Sequence, residues 1–577
     1  MNLPVFSPIG GRRLIPSPWD IIAIILVIGT LAIVGHGARE MKASLATVEA
    51  TGISLDPSHL PEYALRTVLR MVAALAASLV FTLTYATLAA KSRRAEWLLV
   101  PMLDILQSVP VLGFLTFTVA GFMSLFPGRV FGAELAAIFA IFTSQAWNMA
   151  FSFYQSLKTT PADLEEVSRG FQFSAWQRFW RLEVPYATPS LIWNMMMSMS
   201  GGWFFVVASE SISVGQTSVA LPGIGSYVAL AIAEENLTAV LWAVGAMMVV
   251  IALYDQLLFR PLVAWADKFR FEQTAGAVTA QSWLLRGLQR SRLVSGVMTP
   301  ISRLAAMSLR IHLPRRGPRP THAVRSAAAG KVMDGLWLAA IVVLAGLAAR
   351  AIADIMSDVL TWADIGDAVL GGLITLARVV VLMAVATVIW VPVGVWIGLR
   401  PVLSGRIQPL AQFLAAFPAN LLFPVAVMFI VRFRLNPDIW LSPLIIMGTQ
   451  WYILFNVIAG TNAFPNDLKE AAANFRLKGW LWWRTVMLPG IFPYYITGAV
   501  TASGGSWNAS IVSEVVSWGG TRLEAHGLGA YIAKATAAGD QARVILGIVV
   551  MSVFVTLFNR LLWRPLYGLA QRRFRLA

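Results

Sequence analysis

The chain has 577 residues, of which 57% are hydrophobic and only 13% charged, and its mean hydropathy is +0.68. Soluble domains carry about 25% charged residues, so this composition excludes a soluble enzyme and a nucleic-acid-binding domain and identifies an integral membrane protein. The net charge of +16 therefore matters for where it is placed, not for its size.

A helix crossing a hydrocarbon core of about 30 Å needs roughly 17–25 apolar residues. In chain order, charge-free runs occupy Ile21–Ala38, Met71–Ala90, Ile105–Gly128, Leu135–Leu157, Val184–Ser209 and Asn236–Tyr254. A second set follows at Gly335–Ala349, Val379–Leu399, Ile407–Val431, Ile439–Asn466, Thr485–Ser513 and Val544–Asn559. None alternates with the period of two that a transmembrane barrel requires. The expected fold is all-α and membrane-spanning, with about twelve transmembrane helices in two sets of six.

Basic residues cluster at Arg12-Arg13, Lys91 to Arg94 and Arg572 to Arg575, and Arg260–Lys331 holds 13 Arg/Lys against Asp267 and Glu272. Ser211–Asn236 carries Glu234 and Glu235 with no base, and Asp354–Asp367 holds four aspartates with none. The positive-inside rule places both termini and the central linker in the cytoplasm. Arg432 and Arg434, which fall outside on this topology, are the misfit. The first run follows Arg12-Arg13 without a clean small-x-small cleavage site and reads as an uncleaved span.

The two sets are copies. A shift of 304 residues aligns Pro161, Asp163, Leu164 and Glu166 with Pro465, Asp467, Leu468 and Glu470, and then Phe171, Trp176 and Pro185 with Phe475, Trp480 and Pro489. At that shift Gly201, Trp203, Ser209 and Glu210 meet Gly505, Trp507, Ser513 and Glu514, and Gly223-Ile-Gly-Ser-Tyr227 meets Gly527-Leu-Gly-Ala-Tyr531. Nearer the start of each copy the shift becomes 308, pairing Pro101 and Pro110 with Pro409 and Pro418. An even number of spans per copy gives parallel topology, with the copies related by an axis along the membrane normal and a pathway expected between them. The chain divides into an N-terminal segment with its first span and external loop (1–60), a first repeat (61–271), a basic linker (272–333) and a second repeat (334–577). Within the linker, Gln281–Met298 interleaves Trp283, Leu284, Leu285, Leu288 and Leu293 with Arg286, Arg290 and Arg292, the pattern of a basic amphipathic helix on anionic headgroups. A loosely ordered basic tether ending in Pro314–Pro320 fits equally well.

Between the fourth and fifth spans of each copy lies a polar segment, Pro161-Ala-Asp-Leu-Glu-Glu-Val-Ser-Arg-Gly-Phe171 and Pro465-Asn-Asp-Leu-Lys-Glu-Ala-Ala-Ala-Asn-Phe475. Proline followed by acids suits a helix start. Val167, Phe171 and Phe179 are expected on one helical stripe with room for a partner. Glu470-Ala471-Ala472 is a literal match to the EAA motif of bacterial type I ABC importer permeases, and Glu166-Val167-Ser168 is a degenerate one. In both copies 19 residues separate the glutamate from the following proline. The chain thus resembles that family, and Gly527–Asp540 resembles its nitrate/sulfonate/bicarbonate branch. The glycine usual six residues after the glutamate is replaced by Gln172 and Arg476, so the turn there is expected to differ.

The resemblance implies a fused pair of permease domains, replacing a permease dimer, in the bacterial cytoplasmic membrane. Asp163, Glu166, Gly170, Phe171 and Pro185, with Asp467, Glu470, Ala471, Ala472, Phe475 and Pro489, would form the loops that dock on two ABC ATPase subunits or domains. A periplasmic or lipoprotein substrate-binding protein would deliver a small solute, an anion such as nitrate, a sulfonate or bicarbonate. ATP and Mg would sit on the ATPase. No cofactor is expected on this chain, because it has no G-x-x-x-x-G-K-[ST] run. Membrane lipid is the remaining partner expected, and nucleic acid is not.

The absence of cysteine excludes disulfides and thiolate sites, and the histidines show no metal spacing, so neither a metal site nor a catalytic set is expected. Asp104, Glu134 and Asp255 lie near span ends and are expected to snorkel. Pathway candidates fall on the fifth helix of each copy: Asn194, Ser198, Trp203, Ser209 and Glu210, and Ser503, Trp507, Asn508, Ser513 and Glu514. Small polar residues can donate to a passing anion, but they also glue membrane helices together. Glu210 and Glu514 either face each other across the axis or make a structural bond at the outer end of the helix. An ion-gradient-driven carrier with parallel repeats is the alternative to an ATP-driven permease.

Overall fold

A computed structural model describes residues 52–214, 217–269, 282–291 and 360–573, with scattered positions in 19–35 and 294–354. Most of the expected span Ile21–Ala38, part of Gly335–Ala349, the pair Arg12-Arg13, Arg575 and the segment Pro314–Pro320 lie outside the described residues.

Within them the chain is helical except for two short hairpins. Helices long and apolar enough to cross a membrane cover Pro57–Lys91, Val130–Lys158, Ala175–Glu210 and Leu237–Phe269 in the first copy, and Trp362–Gly398 and Gln541–Ala570 in the second. Several expected runs are not continuous. Ile407–Val431 is bent by 78° between Ala416 and Ala419, and Ile439–Asn466 by 43° between Met447 and Trp451. Ile105–Gly128 divides into Arg93–Ser108 and Val111–Leu125. Pro110 and Pro418 stand at two of these breaks, where a missing N–H and a ring clash with the preceding turn interrupt the hydrogen-bond ladder. Hydropathy sees only the apolar run and passes over the bend.

Prolines also punctuate the helices at a second repeated place. Five-residue π turns occupy Phe179–Glu183, Asp255–Phe259, Trp483–Met487 and Asn559–Trp563. Each directly precedes a helix with proline at its second residue: Pro185, Pro261, Pro489 and Pro565. Proline cannot donate to the carbonyl four residues back, and widening the turn to i→i+5 re-pairs the neighbouring groups.

One end of each copy is held by an ionic cluster, buried in the first copy and partly exposed in the second. Arg70 Nε and Nη2 each donate to Glu134 over 2.6 Å, and its Nη1 donates to Glu210 over 2.6 Å. Thr67 donates to the same Glu210 oxygen over 2.7 Å, while its own oxygen accepts the Ile224 N–H. The second copy repeats this with Arg378, Asp438, Glu514, Thr375 and the Leu528 N–H. The clusters join the Leu60–Lys91, Val130–Lys158 and Val184–Glu210 helices, and their second-copy equivalents. Glu134 is therefore buried and paired, not snorkelling as expected, because Arg70 supplies its countercharge; Asp255, by contrast, is half-buried and pairs with Arg260 over 3.1 Å.

Beyond the clusters lie two antiparallel hairpins, Ser211–Val214 with Thr217–Ala220 and Val515–Trp518 with Thr521–Glu524. Gly223 and Gly527 then start short helices, and a Cβ at either position would run into the Glu210 or Glu514 carboxylate. The repeated Gly-x-Gly thus lets backbone approach a buried acid, and Gly225 N–H donates to Glu210 over 2.7 Å. Arg432 and Arg434 lie at this same end, where the Phe423–Arg432 helix packs on the Val515–Trp518 strand. The linker is a helix at Trp283–Arg290; Leu284 and Gly287 are buried, Gly287 against the Trp19 ring, and Trp283, Arg286 and Arg290 are exposed.

Removing one member of a buried pair leaves a charge uncompensated at a cost of about 3–5 kcal/mol. Arg70→Leu should therefore lower the melting temperature of the purified protein markedly. Arg378→Leu should lower it less, because Asp438 is 37% exposed where Glu134 is 7%. Equal effects would show that burial does not set the cost.

Candidate functional site: a central cavity and two exposed helical elements

Between the copies lies a cavity of about 340 Å³. Of the pathway candidates, Asn194 and Ser198 from Val184–Glu210 and Ser503, Trp507 and Asn508 from Leu488–Ser513 line it. Trp147, Trp193, Ser200, Gly201, Thr449, Tyr452, Gly504 and Gly505 join them, and among the described residues no Asp, Glu, Lys, Arg or His does. The described wall is neutral, aromatic and hydroxyl-bearing.

The helix breaks open onto this space, with Val109 and Val111 on one side and Phe417 and Ala419 on the other. Contacts across it join the two copies. Asn508 Oδ1 accepts the Val111 N–H over 2.7 Å, at the first residue of a broken helix, and Asn420 Nδ2 donates to the Phe204 carbonyl over 3.3 Å. Ser200 and Tyr452 share a hydrogen bond, and the Trp193 and Phe455 rings stack with centroids 5.2 Å apart. Ser198 Oγ, Trp147 Nε1 and Trp507 Nε1 are buried and have no partner among the described residues.

Five of the candidates lie elsewhere. Trp203 is buried edge-on against Tyr254 with centroids 5.3 Å apart. Ser209 bonds back to the Val206 carbonyl, and Ser513 is fully buried. Glu210 and Glu514 do not face one another, since each is bound to the arginine of its own copy. The sequence also passed over Arg70 and Arg378, whose signal is a repeated Thr-x-x-Arg inside an apolar helix, at Thr67 to Arg70 and Thr375 to Arg378. Tyr452 and Gly504 gave no comparable signal. Among the described residues no three acidic or histidine side chains converge as a metal site would need.

At the other end, Ala162–Gly170 and Asn466–Asn474 form short helices. Asp163, Glu166, Gly170 and Phe171 are exposed, as are Asp467, Glu470 and Phe475; Ala471 is half-buried and Ala472 buried. Phe171 and Phe475 expose 71% and 77% of their surface. Pro185 and Pro489 are half-buried in the first turn of the following span. Contrary to expectation, Phe179 is not on the Val167–Phe171 stripe: the helix ends at Gly170, and Phe179 turns inward onto Phe153 and Trp180. The turns themselves do not differ between copies. Gln172 and Arg476 adopt φ values of 50° and 53°, the left-handed conformation that glycine favours. The Phe173 and Leu477 N–H groups close the turns on the Ser168 and Ala472 carbonyls.

With no native cysteine, an introduced one is the chain's sole thiol. Gly201 and Gly504 line the cavity and have nothing within 4 Å of an added Cβ. Gly201→Cys and Gly504→Cys should react with a small water-soluble thiol reagent at least about tenfold faster than Ser209→Cys, because only an exposed, ionisable thiol is reactive. Equal protection of all three would mean that the space is not wet.

A family model described as the binding-protein-dependent transport system inner membrane component matches residues 78–260 and again 390–563. The bicarbonate transport system permease protein CmpB of Synechococcus elongatus is 29% identical over 186 residues, 32% of this chain and 64% of that protein. The nitrate import permease protein NrtB of Leptolyngbya laminosa is 27% identical over 187 residues, 32% of this chain and 63% of its own length. The glycine betaine/proline betaine transport system permease protein ProW of Escherichia coli is 28% identical over 211 residues, 36% of this chain and 55% of its own. The matches thus span between half and two thirds of these relatives. The two family matches fall on the two repeats that the ionic clusters, π turns and hairpins define. The chain belongs to the family of inner-membrane components of binding-protein-dependent transport systems, and it carries that domain twice in tandem.

Proposed function

We propose that the chain is the complete translocation pathway of an ATP-driven importer for a small anion, with bicarbonate and nitrate as first candidates. The observation that carries this reading is the pairing of one neutral central cavity with two equivalently folded, exposed elements at the opposite end from the clusters. Repeats 61–271 and 334–577 each supply one wall and one such element. The elements dock on two ABC ATPases, whose approach on binding ATP draws the two copies through the change that opens the cavity to alternate sides. An external binding protein delivers the anion. The termini and linker are cytoplasmic and the membrane is the bacterial inner membrane.

The wall suits an anion in transit. A fixed cation in a low-dielectric cavity would hold it too tightly to release, whereas hydroxyl, amide and indole N–H groups offer hydrogen bonds that exchange as it moves. Carboxylates on the wall would repel it, and the buried Glu134, Glu210 and Glu514 are paired with arginines outside the cavity. The names of the relatives support bicarbonate and nitrate, and the branch resemblance of Gly527–Asp540 supports the same class.

The test is uptake in proteoliposomes holding this chain with its co-purifying ATPase and binding protein. ATP-dependent accumulation of labelled bicarbonate or nitrate is expected. In the Glu166→Ala/Glu470→Ala double variant it should fall by at least about tenfold, while membrane insertion and melting temperature stay unchanged. Uptake that persists without ATP and follows an imposed ion gradient would establish a gradient-driven carrier instead.

A further inference from the structure

The two cytoplasmic elements share a backbone but not a chemistry. Each presents an exposed phenylalanine, Phe171 or Phe475, before a left-handed turn residue. In the first copy that residue is the neutral Gln172. Two positions on, Ser174 is buried as the cap of the next helix, accepting from the Gln177 N–H over 3.2 Å. In the second copy the same two positions are Arg476 and Lys478, both exposed.

The surroundings sharpen this difference. The first element spends its bases internally: Arg169 and Arg178 each reach Glu165 over 3.3 Å, and Arg178 and Lys91 each reach Glu183 over 2.8 Å. The second copy does not repeat these pairs among the described residues. Glu165 is replaced by Lys469, Arg178 by Trp482 and Glu183 by the buried Met487, so packing does there what ion pairs do in the first copy. Arg476 and Lys478 consequently make no ion pair among the described residues and point their charge outward beside Phe475.

We propose that Arg476 and Lys478 form an electrostatic anchor for a carboxylate-bearing rim of the ATPase cleft that receives Phe475, so that this one chain grips its two ATPases unequally. The proposal rests on the ATPase-docking reading above. The first element holds its ATPase through Phe171 and Val167 with little help from charge; the second adds charge pairs at the rim. Rim charges set association rate and salt dependence, and exposed pairs are screened as the Debye length falls from about 10 Å at 0.1 M salt to about 3 Å at 1 M.

The experiment uses the whole complex purified from its host, with ATPase stoichiometry measured against salt. In Arg476→Gln/Lys478→Ser the second turn takes the residues that the first already folds with, which keeps the backbone intact. This variant should lose one of the two ATPases at a salt concentration that the native complex withstands, and its remaining ATPase should be nearly insensitive to salt. Arg476→Glu/Lys478→Glu should lose that ATPase even at low salt, binding it at least about tenfold more weakly. Conversely, Gln172→Arg should leave retention of the second ATPase unchanged. Native salt dependence in both double variants would overturn the proposal. Native ATPase retention combined with loss of co-purifying anionic phospholipid would also overturn it, and would assign the two cations to the membrane. Absence of any ATPase from the native preparation would instead refute the docking reading itself.

Discussion

A buried arginine shared between two carboxylates sets the geometry of each copy. Arg70 and Arg378 lie on apolar helices, where an unpaired cation would be prohibitive. Each can be buried only if an acid from the fourth span or its equivalent and the terminal acid of the fifth arrive at the same place. That requirement fixes three helices in depth and in rotation. Once Glu210 is pinned at the outer end, the face of its helix bearing Asn194 and Ser198 is turned to the other copy, and the segment before it emerges at the opposite end. The Gly-x-Gly of the short outer helix follows from the same constraint, since a side chain there would occupy the space of the carboxylate.

Duplication copied this scaffold and left the functional surfaces free to diverge. Clusters, hairpins, π turns and left-handed turns recur with residue-by-residue correspondence. The cavity wall does not: Asn508, which caps a broken helix of the other copy, stands where the first copy has Phe204. Beneath the short exposed helices, an ion network in one copy is replaced by Met487 and tryptophans in the other. Both solutions hold the same backbone, which shows that the scaffold requires a filled contact there and not a particular chemistry. A fused chain can hold such asymmetry stably, because its two halves always meet each other and never a second copy of themselves.

The neutrality of the cavity and the buried ionic clusters are complementary. The ion pairs lie at one end of each copy, while the space between the copies offers hydrogen-bond donors whose individual strength is modest. Selectivity in such a space comes from size and from the number of donors within reach.

Amino-acid order alone determined the class, the tandem copies and the position of the two short exposed helices in the chain, because these depend on local quantities. Apolar run length, charge placement, proline position and self-similarity are all legible within a few tens of residues. The left-handed turn was misjudged at Gln172 and Arg476 because residue type sets a preference that surrounding hydrogen bonds can override. The bends escaped for a different reason: a run stays apolar whether or not it bends. Only tertiary packing decided what Glu210 and Glu514 do, since their arginines lie 140 and 136 residues earlier in the chain. It likewise decided that Asn194, Ser198 and Asn508 reach the cavity while Trp203, Ser209 and Ser513 do not. Those residues share one helix in each copy and similar polarity; what separates them is which neighbouring helix covers each face, and that is set by contacts between segments distant in sequence.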